Sequence, residues 1–181
     1  MFLGASPLQL TPLQMCVNTL RLATLNRADK ITTIFEGEDI TDYAFFDIDD
    51  GWKSQEDYLH FYQRQVLSQM REVPIIGTAS GLSNLSKDMR QGKYGNKPLY
   101  LYCKTGTLNV DGSKKKRIKH LMVIISDQEL EKIEKLSDFR KAKRYIMYLS
   151  CYEIVGLSNS WWRPFIESAL NSASFKNYME E

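Results

Sequence analysis

The run Pro98-Leu99-Tyr100-Leu101-Tyr102-Cys103-Lys104-Thr105-Gly106-Thr107-Leu108, with Leu121-Met122-Val123-Ile124-Ile125 after it, limits the fold more than any other part of the chain. The first run has a period of two. Leu99, Leu101, Cys103, Thr105 and Thr107 share one side of an extended strand, and Tyr100, Tyr102, Lys104 and Gly106 share the other. The second run is almost wholly apolar, as in a strand covered on both faces. Between them Asp111-Gly112 is a hairpin turn signal, and the basic residues 114–117 lengthen the tip. An antiparallel pair over about 98–108 and 118–126, packed between two layers, is therefore expected.

Helical signals supply the layers. Thr11-Pro12-Leu13-Gln14 reads as a helix start, with Thr11 as N-cap, Pro12 in the first turn and Gln14 closing a capping box. Leu13, Val17 and Leu20 carry that helix to about residue 26. Residues 27–53 read as loop with one short strand. A second helix is expected over 54–71, with Leu59, Tyr62, Val66 and Met70 as its core stripe, ended by Pro74. A short helix fits 84–91. Residues 128–143 read as helical at least as far as 136. Residues 144–155 fit a third strand, with a helix as the competing reading. Ser160 then caps a last helix whose apolar face is Trp161, Trp162, Phe165, Ile166, Ala169 and Leu170. The expected fold class is α/β (α+β): an antiparallel sheet of at least three strands, the C-terminal helix on one face, and helices of the first half on the other. Residues 1–181 form one domain or one contiguous piece of one, with 1–97 mainly helical and 98–181 holding the sheet and last helix.

A formal net charge of +2 gives no global field toward nucleic acid, so no nucleic-acid partner is expected. No apolar run approaches a spanning helix, and the first residues lack the pattern of a signal peptide. Cys16, Cys103 and Cys151 are far apart and read as buried free thiols. His60 and His120 are isolated in sequence, so neither a metal nor any other cofactor is expected. Asp47, Asp49 and Asp50 lack the spacing of a calcium loop. The basic stretch Lys114-Lys115-Lys116-Arg117, with Lys119, reads as a solvated hairpin tip that discourages edge aggregation.

Lys104-Thr105-Gly106-Thr107 on a strand is one of three elements of the serine penicillin-recognising enzymes. Other landmarks agree with it in order. Gly4-Ala5-Ser6-Pro7-Leu8-Gln9-Leu10-Thr11-Pro12-Leu13-Gln14-Met15 resembles the G-Q-G-x-x-x-T-P-L-Q-M segment of class B penicillin-binding proteins. Leu22-Ala23-Thr24-Leu25-Asn26 is similar to their A-x-L-A-N, and Gly77-Thr78-Ala79 to the G-T-A that precedes their K-T-G-T. The chain thus resembles the C-terminal part of a class B-like transpeptidase domain over nearly its whole length. It departs from the pattern at Cys103, where the family usually has Gly, and at Gly4-Ala5-Ser6. The S-x-x-K nucleophile motif belongs upstream, and the expectation is that this chain starts after it. Ser113-Lys114-Lys115-Lys116 has the right letters at a hairpin tip, in the wrong order relative to K-T-G. Tyr94-Gly95-Asn96 lies too close to Lys104 to be the family's second motif.

The resemblance implies a part of a D,D-transpeptidase that cross-links peptidoglycan by serine acyl transfer and is acylated by β-lactams. Thr107 would give its backbone N–H to the oxyanion hole. The Thr105 and Thr107 hydroxyls would bind the substrate carboxylate, Lys104 would add supporting charge, and Gly106 would let the substrate backbone approach. With the nucleophile absent, the chain alone is expected to be inactive. Its partners would be a stem peptide or β-lactam and the missing N-terminal half of the domain, with self-association through the uncovered surface. The implied location is extracytoplasmic, at the periplasmic side of the inner membrane, anchored by a segment outside this chain. The alternative is a nucleophile-free module that binds cell-wall peptide or a protein partner.

Overall fold

The structure is a computed structural model, described here over residues 11–24, 56–109, 116–154 and 160–180. Three strands form one antiparallel sheet in the order β1-β2-β3: β1 is Tyr100–Asn109, β2 Lys116–Ser126 and β3 Arg144–Ile154. Residues 144–154 are thus strand rather than helix. The β1–β2 register pairs Tyr100 with Ser126 and Asn109 with Arg117, and the β2–β3 register pairs Ser126 with Arg144. The Asp111-Gly112 turn, the three aspartates 47, 49 and 50 and the loop around them lie outside the described residues.

The alternation along β1 divides the interior into two cores. Leu99, Leu101 and Cys103 pack with Leu121, Val123 and Ile125 on one face. That face is covered by Ala79 and Leu82 of the turn after α2 (Glu56–Glu72) and by Leu85 and Met89 of α3 (Ser83–Arg90). The C-terminal helices complete the cover through Trp162, Ile166 and Leu170, at and within α5 (Arg163–Asn171), and Phe175 of α6 (Ala173–Glu180). On the other face Tyr102 and Ile124 pack with Ala23 of α1 (Pro12–Thr24), Leu67 and Met70 of α2, and Phe139 of α4 (Leu136–Lys141). The described residues therefore form a mixed α/β fold of six α-helices around a three-stranded antiparallel sheet.

The start of α1 is built as its sequence indicates. Thr11 N–H donates to Gln14 Oε1 at 2.8 Å, and Gln14 N–H donates back to Thr11 Oγ1 at 3.2 Å. Three other expectations need correction. The buried stripe of α2 is His60, Gln63, Leu67 and Met70, whereas Tyr62 and Val66 are 49% and 44% exposed. The stripe turns because Gln63 donates to Leu22 O and His60 sits against the Phe139 ring at 4.7 Å.

Residues 128–135 are not an α-helix but hold one 3₁₀ turn, Leu130–Lys132, before the short α4. Here the Leu130 N–H donates to the Tyr102 hydroxyl at 2.8 Å, and the Lys143 N–H to Asp127 Oδ1 at 2.9 Å, so side chains compete with the helical bonds. The last helix is two helices. α5 begins after Trp162, with Pro164 in its first turn, and Phe165 is 55% exposed. The chain leaves helical geometry at Ser172, whose hydroxyl accepts the Phe175 N–H and so starts α6.

Candidate functional site

β1 is an edge strand. Among the described residues no strand pairs with its outer side, so alternate N–H and C=O groups face away from the sheet. Lys104 and Thr107 are exposed, and Thr105 and Gly106 are half-buried. The Lys104 stem folds back along the strand, and its Nζ donates to Thr105 O at 2.9 Å. Cys103, directly before them, is fully buried in the first core, and burial pushes its thiol pKa far up, leaving it an inert apolar group.

The fold brings Gly77-Thr78-Ala79 to this strand. Each of the three has its own physical reason. Gly77 lies so close to the end of α2 that an added Cβ would stand 2.8 Å from Val73 Cα and 2.9 Å from Val73 O. Its N–H donates to Glu72 O at 3.2 Å, closing the turn. Ala79 is fully buried in the first core. Thr78, between them, is exposed and hydrogen-bonds the Thr105 hydroxyl across the rim. Two stretches 27 positions apart in the chain thus meet at one edge of the sheet.

Beneath β1, a polar brace holds the strand to α2. Tyr102 is buried, and its hydroxyl donates to Glu131 Oε2 at 2.5 Å while accepting from Leu130 N–H. Arg71 of α2 pairs with Glu131 and, at 2.8 Å, with Glu129; its guanidinium also lies 5.0 Å from the centre of the Tyr100 ring. Desolvation works to raise the Glu129 pKa, but the hydrogen bonds from Lys132 and Arg71 outweigh it and hold the carboxyl below its ordinary value.

Gly106 and Lys104 belong to the opposite face from Thr105 and Thr107. Gly106 pairs with His120 of β2, and an added Cβ there would meet His120 Cβ at 3.8 Å, ordinary contact distance. His120 is isolated in sequence but not in the fold. Its Nδ1 hydrogen-bonds the Tyr148 hydroxyl and lies 3.2 Å from Ser150 Oγ. Burial pushes its pKa down, so the ring is neutral near pH 7. The signal that could have found this cluster is strand register, which sets His120 between Gly106 and Ser150.

A cavity of about 520 Å³ lies at the other end of β1, lined by Tyr94, Lys97, Leu99, Asp127, Phe175 and Lys176 among others. It does not include Lys104, Thr105, Gly106 or Thr107. Among the described residues no three His, Cys, Asp or Glu side chains converge on a common point, and no helix is long and apolar enough to cross a membrane. Comparison with family models, with curated proteins and with solved structures finds no match.

Proposed function

We propose that this chain is the substrate-positioning portion of a penicillin-binding D,D-transpeptidase, which cross-links peptidoglycan by serine acyl transfer. The observation that carries the reading is the meeting of Thr78 and Thr105. It joins two motifs that sequence alone could only place in order, and it does so on an open strand edge. An extended stem peptide would add to that edge as a further strand, its main chain pairing with β1. Its terminal carboxylate would meet the Thr105 and Thr107 hydroxyls and the Lys104 ammonium, a donor-rich and positive rim. Gly106 would leave room for the substrate backbone. The Thr107 N–H would be one of two donors to the developing oxyanion. The serine nucleophile and its base would come from outside these 181 residues, so the chain by itself would bind without cross-linking.

Titrating an isotope-labelled sample of the chain with a peptide ending in D-alanyl-D-alanine tests this directly. The expected result is amide shifts at Lys104, Thr105, Gly106, Thr107 and Thr78, lost in the double variant Lys104→Ala, Thr105→Val. Shifts confined to the cavity at the other end of the sheet, or shifts unchanged in that variant, would sink the reading.

A further inference from the structure

Ser150 and His120 are neighbours by sheet geometry. They are paired positions of β3 and β2, so their side chains leave the same face side by side. Ser150 is exposed, His120 is half-buried, and Oγ stands 3.2 Å from Nδ1. That separation is within reach for proton transfer from a hydroxyl to an imidazole. Tyr148 orients the ring. Its phenol lies nearly parallel to the imidazole, at 5.7 Å between centres and 20° between planes, and its hydroxyl bonds Nδ1. Tyr148 and Ser150 thus meet at the same ring nitrogen, and the three groups form one cluster around Nδ1.

The surroundings suit developing negative charge. Helix α1 runs along this face with Ala23 in the core around Ile124 and Thr19 against Met122. Lys104, two residues along β1 from Gly106, adds a cation on the same face, its Nζ held by Thr105 O. Gly106, opposite His120, keeps the approach from the strand edge clear of a side chain.

We infer that Ser150 is an acyl-accepting nucleophile, with His120 as its base and Tyr148 as the residue that orients the base, acting on small activated esters. Ser150 Oγ adds to the ester carbonyl carbon. Its proton goes to Nδ1, the ring nitrogen 3.2 Å from Oγ. The carbonyl–oxygen bond to the leaving alcohol then breaks. The leaving oxygen carries off the proton from the imidazolium, and an ester remains on Ser150 until water hydrolyses it. Neither the nucleophile nor its base belongs to K-T-G-T, and no second half of a transpeptidase is needed, so loss of stem-peptide binding and loss of Ser150 acetylation are separate outcomes.

The test is acetylation by p-nitrophenyl acetate, followed by intact mass and peptide mapping of the full chain. One acetyl group on the peptide carrying Ser150 is expected, with p-nitrophenolate released in step. Ser150→Ala, a change at an exposed position, should abolish that adduct. His120→Asn should slow it by about 100-fold, the scale of a lost general base. The rate should rise with pH through an inflection below the ordinary imidazole value, because burial lowers the His120 pKa. The titratable groups around the ring are Tyr148 of β3, which bonds Nδ1, and Lys104 of β1 on the same face, with Cys16 of α1 near Tyr148. Acetylation found only on lysines or cysteines overturns the proposal. So does a Ser150→Ala rate equal to that of the parent, which alone decides the matter if His120→Asn fails to fold.

Discussion

At Gly77 a single missing side chain decides whether two parts of the molecule can meet. The turn it closes leaves no space for a methyl group, because Val73 backbone stands where the Cβ would be. Gly77→Ala should therefore cost about 1–3 kcal/mol, the range for forced overpacking, read from the urea midpoint. It should also break the Thr78–Thr105 contact, visible as shifted Thr105 resonances. Tyr102 makes a second sharp case. Tyr102→Phe keeps the ring but strands the Leu130 N–H and removes a donor from Glu131, so a loss of about 1–3 kcal/mol is expected by the same measurement. Charge has its own signature at this scale. Since the folded-state pKa of Glu129 lies below its ordinary value of 4.5, its pairing with Arg71 and Lys132 stabilises the fold above that pH. That contribution disappears as pH falls from 4.5 through the lower folded value, because the unfolded chain takes up the proton first. In Glu129→Gln the slope of stability against pH should flatten in that window, and an unchanged acid limb would contradict the pairing.

Elements differ in how far their sequence announces them, and α1 is the plainest. Its N-terminus is written entirely in local letters, since the capping box joins residues three apart, and Thr11→Ala should cost about 1 kcal/mol in thermal or urea unfolding. The strands were legible for a similar reason: alternation is a local pattern, and the apolar run of β2 implied cover on both sides. Helix α2 shows where this ends. Tyr62 and Val66 fit an apolar stripe as well as Leu67 does, yet long-range partners choose the face, Leu22 O for Gln63 and Phe139 for His60. Nothing within the helix itself encodes those partners. The stretch after β2 departs from its helical pattern for the same cause, because a tyrosine 28 positions earlier accepts the Leu130 N–H. The candidate site divides likewise. Gly77-Thr78-Ala79 and Lys104-Thr105-Gly106-Thr107 were each visible as words, but their contact is a product of the fold. His120 gave no sign of its neighbours, which come from two strands of the sheet.

At the scale of the whole fold, two cores lie on opposite faces of the three-stranded sheet among the described residues, and that arrangement bears on cooperativity. Val123 and Ile124 are adjacent in β2 and fully buried, the first packed under α3, α5 and α6, the second under α1 and α2. Emptying one core must disturb the strand on which the other rests. Ile124→Ala should cost about 2–5 kcal/mol, as for a large-to-small change in a packed interior. The informative reading is where the loss appears. If the layers unfold as one unit, amide exchange should quicken in α5, on the face the mutation never touches, by the same factor as in α2. Exchange that quickens only in α1 and α2 would mean that the faces open separately. The edge strand then gains a specific vulnerability: among the described residues β1 is paired on one side only, and it is braced from below by Tyr102, Glu131 and Arg71. Loss of that brace in separate opening would release Lys104 to Thr107 while the Trp162 side stayed packed. In a cooperative sheet the strand instead leaves only when both cores are lost together.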